Sequence, residues 1–171
     1  MSFIGEIGKG KTYAPGYFLA HEECERKTRE IPQSMAKTED NGTKYVPMGS
    51  VYPSNDASAV GIVYEDVDVT TGNMPGSVVL SGVVYEDRLP ITSVTYDAVT
   101  PVGTENPSEE GWYERSGESP DYVYTLSTDT TVDELKTYYK KTVTRMASAA
   151  KTALEAKGFK FVTEGTVTRP Y

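Results

Sequence analysis

Apolar and polar residues alternate with a short period through most of this chain and switch to a helical period only once. The densest β-forming stretch is Gly49–Pro90. Within it, Val60–Val63 and Val67–Thr70 are β-branched runs, the residue type that fits a pleated, half-buried surface. Gly72-Asn73-Met74-Pro75-Gly76 are turn formers, since Gly and Asn tolerate positive φ and Pro fixes φ without donating to a ladder. Ser77–Tyr85 is then predicted as the longest strand, and Gly82 inside it marks a bulge or a close backbone approach. Pro90 ends the pairing. Upstream, Asn41-Gly42 is a hairpin-turn signal followed by a strand over Thr43–Val46.

Downstream, Trp112–Arg115, Tyr122–Leu126 and Thr137–Lys140 are predicted as three strands, their aromatic and β-branched residues pairing across neighbours. Asp129–Leu135 fits either a turn or a short helix capped by Thr131 with Glu134 three residues on. The Thr137-Tyr138-Tyr139 run that follows favours the turn. Met146–Lys157 is the helical segment: Met146, Ala149, Ala150, Ala153 and Leu154 share one face, and Gly158 stands where an αL cap belongs. Phe159–Val162 returns to strand alternation, and Thr166–Thr168 closes the series.

Met1–Asn41 has balanced charges and one strongly apolar-aromatic patch, Tyr13–Leu19, turned by Pro15-Gly16. His21–Arg29 fits a helical turn or two but carries no apolar stripe to hold it to a core. Two readings suit this region: an extended arm that orders against a partner, or an edge strand plus loop of the same domain.

Composition narrows the picture. A chain of 171 residues suggests one domain, with room for an insert, and buries roughly 70% of its unfolded surface. One cysteine excludes an internal disulfide framework and fits a reducing compartment. No apolar run approaches the ~20 residues that span a bilayer, and the first residues hold no apolar signal core. A net charge of −8 without a basic patch argues against nucleic-acid binding. Thirteen tyrosines, ten prolines and fifteen glycines, with many Val and Thr, point to short strands and many turns. The expected class is mainly β with a minor helical part.

Candidate chemistry is thin. Gly5–Thr12 matches the phosphate-loop spacing, but only four residues precede it and Pro15-Gly16 interrupts any helix after it. Nucleotide binding is the weaker reading beside a glycine-rich terminus. His21 and Cys24 are two of the four ligands that structural zinc wants, with no other His or Cys in the chain. Glu65-Asp66 and Glu86-Asp87 are paired carboxylates at strand ends, the usual place for solvated acids. One histidine supplies no Ser–His–Asp set. No enzyme, cofactor or metal site is therefore expected. Trp112, Tyr113, Tyr122, Tyr124, Tyr138 and Tyr139 suggest a glycan-stacking surface, against which stands ordinary cross-strand packing.

Three groups of residues carry a family resemblance through their order. They are Ala59-Val60-Gly61-Ile62; Ser81-Gly82-Val83-Val84-Tyr85-Glu86-Asp87-Arg88-Leu89-Pro90; and the helix and closing strand Ala150–Phe161. Together they resemble the lambda-type head decoration proteins of tailed bacteriophages, over about half the chain. Gly61, Gly82, Tyr85, Glu86, Asp87, Leu89 and Pro90 match that family's structural motif. The departure is Ile91–Arg145, with ten Asp and Glu against five Lys and Arg. It resembles modules that recur in structural proteins of phages of Gram-positive bacteria, with Trp112-Tyr113-Glu114 and Lys136-Thr137-Tyr138-Tyr139 as matching residues.

The resemblance implies a small β-barrel or tulip-like decoration domain over 42–92 and 146–171, an N-terminal capsid-contacting arm over 1–41 and an inserted acidic β-hairpin module over 93–145. It implies a structural virion protein, made in the host cytoplasm and bound as a homotrimer to the major capsid protein on the outside of the expanded head, with no nucleic-acid or membrane partner. Tyr13, Pro15, Tyr17, Phe18 and Leu19 would be the contact residues, adding backbone hydrogen bonds to a shell edge and filling pockets with their side chains. Three arms per trimer would convert weak single contacts into tight attachment.

Overall fold

A computed structural model of the chain describes residues 14–101 and 105–163. In chain order the strands are β1 (Glu25–Ile31), β2 (Lys37–Thr38), β3 (Lys44–Val46), β4 (Val51–Tyr52), β5 (Gly61–Val63), β6 (Val67–Asp68), β7 (Met74–Tyr85), β8 (Ser93–Val99), β9 (Tyr113–Ser116), β10 (Val123–Leu126), β11 (Tyr138–Thr144) and β12 (Phe159–Val162). The helix α1 (Ser148–Glu155) lies between β11 and β12. The protein is mainly β with one short helix near its C-terminal end, as its alternation predicts. No helix among the described residues is long and apolar enough to cross a membrane.

The described residues divide into two compact units: those up to Pro90 together with those from Arg145, and those of Ile91–Thr144. The first is organised by β7. The order β1-β7-β5-β4 is antiparallel, and β12 runs parallel to the C-terminal half of β7. A small second sheet has the order β2-β3-β6. Successive strand residues point to opposite faces, and both faces of the central pair are covered. Ile62 and Val79 pack with Phe18, Leu89, Leu154 and Phe159 on one side; Val63 and Val78 pack with Ile31, Val46 and Val69 on the other. Double coverage explains why this stretch reads as runs of valine and isoleucine rather than clean alternation.

Three expectations are corrected here. His21–Arg29 is not helical; Glu25–Ile31 is a strand on β7, all its residues exposed except Ile31. Without an apolar stripe a helix has nothing to bury, whereas a strand gains a backbone ladder from β7. Met74-Pro75-Gly76 opens β7 instead of forming a turn before it, Pro75 sitting near the strand's start where its missing N–H costs least. The helix is shorter than Met146–Lys157. Its start is tied from afar: the Ala147 N–H donates to Asn55 Oδ1 at 2.9 Å, while Ala147 supplies no side-chain cap to the first-turn N–H groups.

The second unit is a four-stranded antiparallel sheet of order β10-β9-β11-β8. The strand β8 was not among the sequence expectations, and Asp129–Leu135 contains no helix. Chain entry and exit are neighbours: Ser93 pairs with Thr144, and the Thr92 N–H donates to the Thr144 carbonyl at 2.9 Å. The unit's buried side chains are few, chiefly Trp112, Ser127, Tyr138 and Tyr139.

Candidate docking surface

The segment proposed from sequence as a contact arm is folded onto its own domain from Gly16 onward. The Gly16 N–H donates to the Tyr64 carbonyl at 2.9 Å, the Tyr85 N–H to the Phe18 carbonyl at 2.8 Å, and the Ala20 N–H to the Val83 carbonyl at 2.9 Å. Leu19 bridges Val84 in antiparallel fashion. Phe18 is fully buried in the core beside Leu89 and Leu154. The assignment of Phe18 and Leu19 as pocket fillers for a shell is therefore corrected: the apolar side chain that looked free in sequence completes this protein's own core. Pro15 and Tyr17 remain at the surface. Tyr13 lies outside the described residues, as does the phosphate-loop match Gly5–Thr12.

Arg88 fastens this segment, and sequence reasoning did not single it out. Its Nη1 donates to the Tyr17 carbonyl at 3.0 Å. Its guanidinium lies 4.3 Å from the Tyr17 ring centre and 4.4 Å from that of Tyr85, a cation–π sandwich of the kind arginine favours. The signal was present: one cation immediately after a Tyr-Glu-Asp strand end.

The motif residues fall into one neighbourhood of the first unit. Gly61 faces β7 so closely that a Cβ would stand 2.3 Å from the Val79 carbonyl oxygen. Gly82 has φ +151° and lies against Cys24, next to the register shift of β1. Tyr85 and Leu89 are buried. Glu86 pairs with Lys151 at 2.6 Å, Asp87 is exposed, and Pro90 ends the unit. The Leu89 carbonyl accepts from Arg145 Nη1, so the two chain ends bordering the insert are tied together.

The paired carboxylates do separate jobs. Asp66 Oδ1 accepts from the Met48 N–H at 2.7 Å while Glu86 binds Lys151. Among the described residues, no group of three or more His, Cys, Asp or Glu is placed to hold a metal ion.

In the second unit, register sorts the aromatics into two faces. Trp112 and Tyr138 are buried on one, where Tyr138 donates to Asp129 Oδ2 at 2.7 Å. Lys136 Nζ lies 2.8 Å from Asp129 and 3.2 Å from Glu114. Lys136 and then Tyr138 hold the Asp129 carboxyl below the usual carboxylate range, while Asp129 and then Glu114 push the lysine up. The other face carries Tyr96, Tyr113, Tyr124 and Tyr139, whose rings engage one another. Tyr96 stacks on Tyr124 at 3.9 Å, with edge contacts from Tyr96 to Tyr113 and from Tyr124 to Tyr139. Tyr96 was missed from sequence, although Val94, Tyr96 and Ala98 alternate. These four rings serve cross-strand packing, whereas Tyr122, also expected as a stacking residue, is exposed beside Arg115.

No protein-family model matches the chain, and no match was found among curated proteins or solved structures.

Proposed function

We propose that this protein is a capsid decoration protein of a tailed bacteriophage, which attaches to the expanded head as a homotrimer and stabilises it against internal DNA pressure. The observation that carries the reading is the convergence of three distant motif segments. Ala59–Ile62, Ser81–Pro90 and Ala150–Phe161 fold into one unit, with β5 and β12 both on β7 and Lys151 reaching Glu86, while Ile91–Thr144 between them forms its own sheet. The motif segments thus form one body interrupted by an insertion, which supports the reading, whereas the stretch expected as a separate arm over 1–41 belongs to that same body from Gly16 onward.

The partner is the major capsid protein. Attachment by strand addition is assigned to the residues before Ala14, with exposed Pro15 and Tyr17 at the root of that stretch, because Phe18 and Leu19 are already used internally. The test is co-sedimentation of purified protein with expanded and with precursor shells of the phage that carries it. The expected result is saturable binding to expanded shells alone, abolished by deleting residues 1–13 while circular dichroism still reports a folded protein. Retained binding after the deletion contradicts the attachment mechanism, and absence of binding to expanded shells contradicts the function.

A further inference from the structure

Nine large hydrophobic side chains are exposed among the described residues, and seven of them belong to the inserted unit. Several lie on the tyrosine-bearing face of its sheet. Val94 and Val143 are register partners at 40% and 39% exposure, next to the pair Tyr96 and Lys141. Leu126, at 56%, faces Tyr113, and Arg115 faces Tyr124. The alternation of β8, β9, β10 and β11 places no carboxylate on this face. The unit as a whole carries ten acids against four bases, so two cations without an acid on one face is a marked segregation.

Those cations are not ion-paired. Arg115 sits 4.3 Å from the Tyr122 ring centre and 5.2 Å from that of Tyr139, and Lys141 sits 5.8 Å from Tyr113. No carboxylate lies within ion-pairing distance of either among the described residues. By contrast, Lys136 on the opposite face holds two carboxylates. Tyrosine and arginine beside exposed aliphatic side chains, on strands that place no acid there, are the composition of protein-binding hot spots.

We propose that this face of the insert is a docking surface for an acidic protein segment, one that sets carboxylates between apolar side chains. The carboxylates would meet Arg115 and Lys141, and the apolar groups would cover Val94, Leu126 and Val143. Charge complementarity selects the acid. The exposed aliphatic groups, together with rings already occupied by one another, favour a protein over an anionic glycopolymer. Two copies of the face would set cation against cation, which disfavours symmetric self-pairing. The surface is independent of whether the first unit binds a shell.

The test is fluorescence anisotropy of the full chain with a labelled twelve-residue peptide alternating Glu and Val. Its Lys/Val counterpart and poly(glycerol phosphate) serve as comparison probes. The Glu/Val peptide is expected to bind saturably and the Lys/Val peptide not to bind. Lys141→Glu is expected to weaken binding by about tenfold. Val94→Glu, at an already exposed site, weakens it too, so the outcome does not hang on one variant's folding. Lys140→Glu makes the same charge change on the opposite face and leaves binding unchanged. No binding of the Glu/Val peptide, equal binding of both peptides, or equal loss in Lys140→Glu overturns the proposal. Binding of the polymer without the peptide overturns it in favour of a glycopolymer surface.

Discussion

Lys151 on the helix reaches Glu86 at the end of the longest strand, Nζ to Oε2 at 2.6 Å, across 65 positions of sequence that include the whole insert. Its ammonium also lies 5.4 Å from the Phe161 ring centre. One side chain therefore links the strand end, the helix and the closing strand. Both partners are about one-third exposed, so solvent screens the pair and its worth is about 0.2–1 kcal/mol. A double-mutant cycle of Glu86→Gln and Lys151→Met, read by thermal denaturation, is expected to return a coupling in that range. A coupling of zero would reduce the pair to a positional coincidence.

Phe18 sets a larger stake. It is fully buried among Leu89, Leu154 and Phe159, so Phe18→Ala removes a core side chain and leaves a cavity. Such truncations cost about 3–5 kcal/mol. The expected outcome is a large drop in the denaturation midpoint of the first unit, whereas Tyr17→Ala at the surface loses chiefly its contact with Arg88. A Phe18→Ala protein as stable as the parent would restore the free-arm reading of this segment.

Excision of the insert is predicted to be tolerated. Its entry and exit strands pair at Ser93 and Thr144, and the bordering residues of the first unit are tied by Arg145 to the Leu89 carbonyl. A short glycine-containing link replacing Ile91–Thr144 asks the chain to close only a small loop, which carries little entropic cost. The shortened protein is expected to melt cooperatively with its circular dichroism signature intact. Loss of cooperative melting would mean that the insert is needed for the core to form.

The insert should lose stability in acid through Asp129. Lys136 and then Tyr138 stabilise its ionised form, so the folded carboxyl titrates below its unfolded value. Its contribution is complete above the unfolded value and is lost as pH falls from the ordinary carboxylate range toward the lowered folded value. Trp112, the only tryptophan in the chain, is buried in this unit and reports its unfolding alone. Asp129→Asn is expected to flatten the acid limb of the fluorescence-detected stability curve. An unchanged acid limb would show that this carboxylate does not govern it.

The strands on β7 were legible because apolar runs and turn residues agree there: Phe159–Val162 coincides with β12, and Asn41-Gly42 turns the chain between β2 and β3. The strand β8 was not legible, because Ser93–Val99 is mostly exposed and its alternation of Val94, Tyr96 and Ala98 with polar residues leads to no fully buried face. The first strand was hidden for a similar reason, since Glu25–Glu30 carries no buried face and owes its form to the ladder with β7. The docking segment misled most. A short aromatic patch near a chain end fits an outside partner or its own core equally well, and only the depth of Phe18 separates the two. The Asn55–Ala147 bond and the Lys151–Glu86 pair depend on contacts 92 and 65 positions apart, which no local pattern encodes.

The most direct test of the central claim is an electron cryomicroscopy map of the intact phage particle that carries this chain. Density for the first unit is expected at local three-fold positions outside the expanded shell. Particles that lack the protein on the outer head would contradict it.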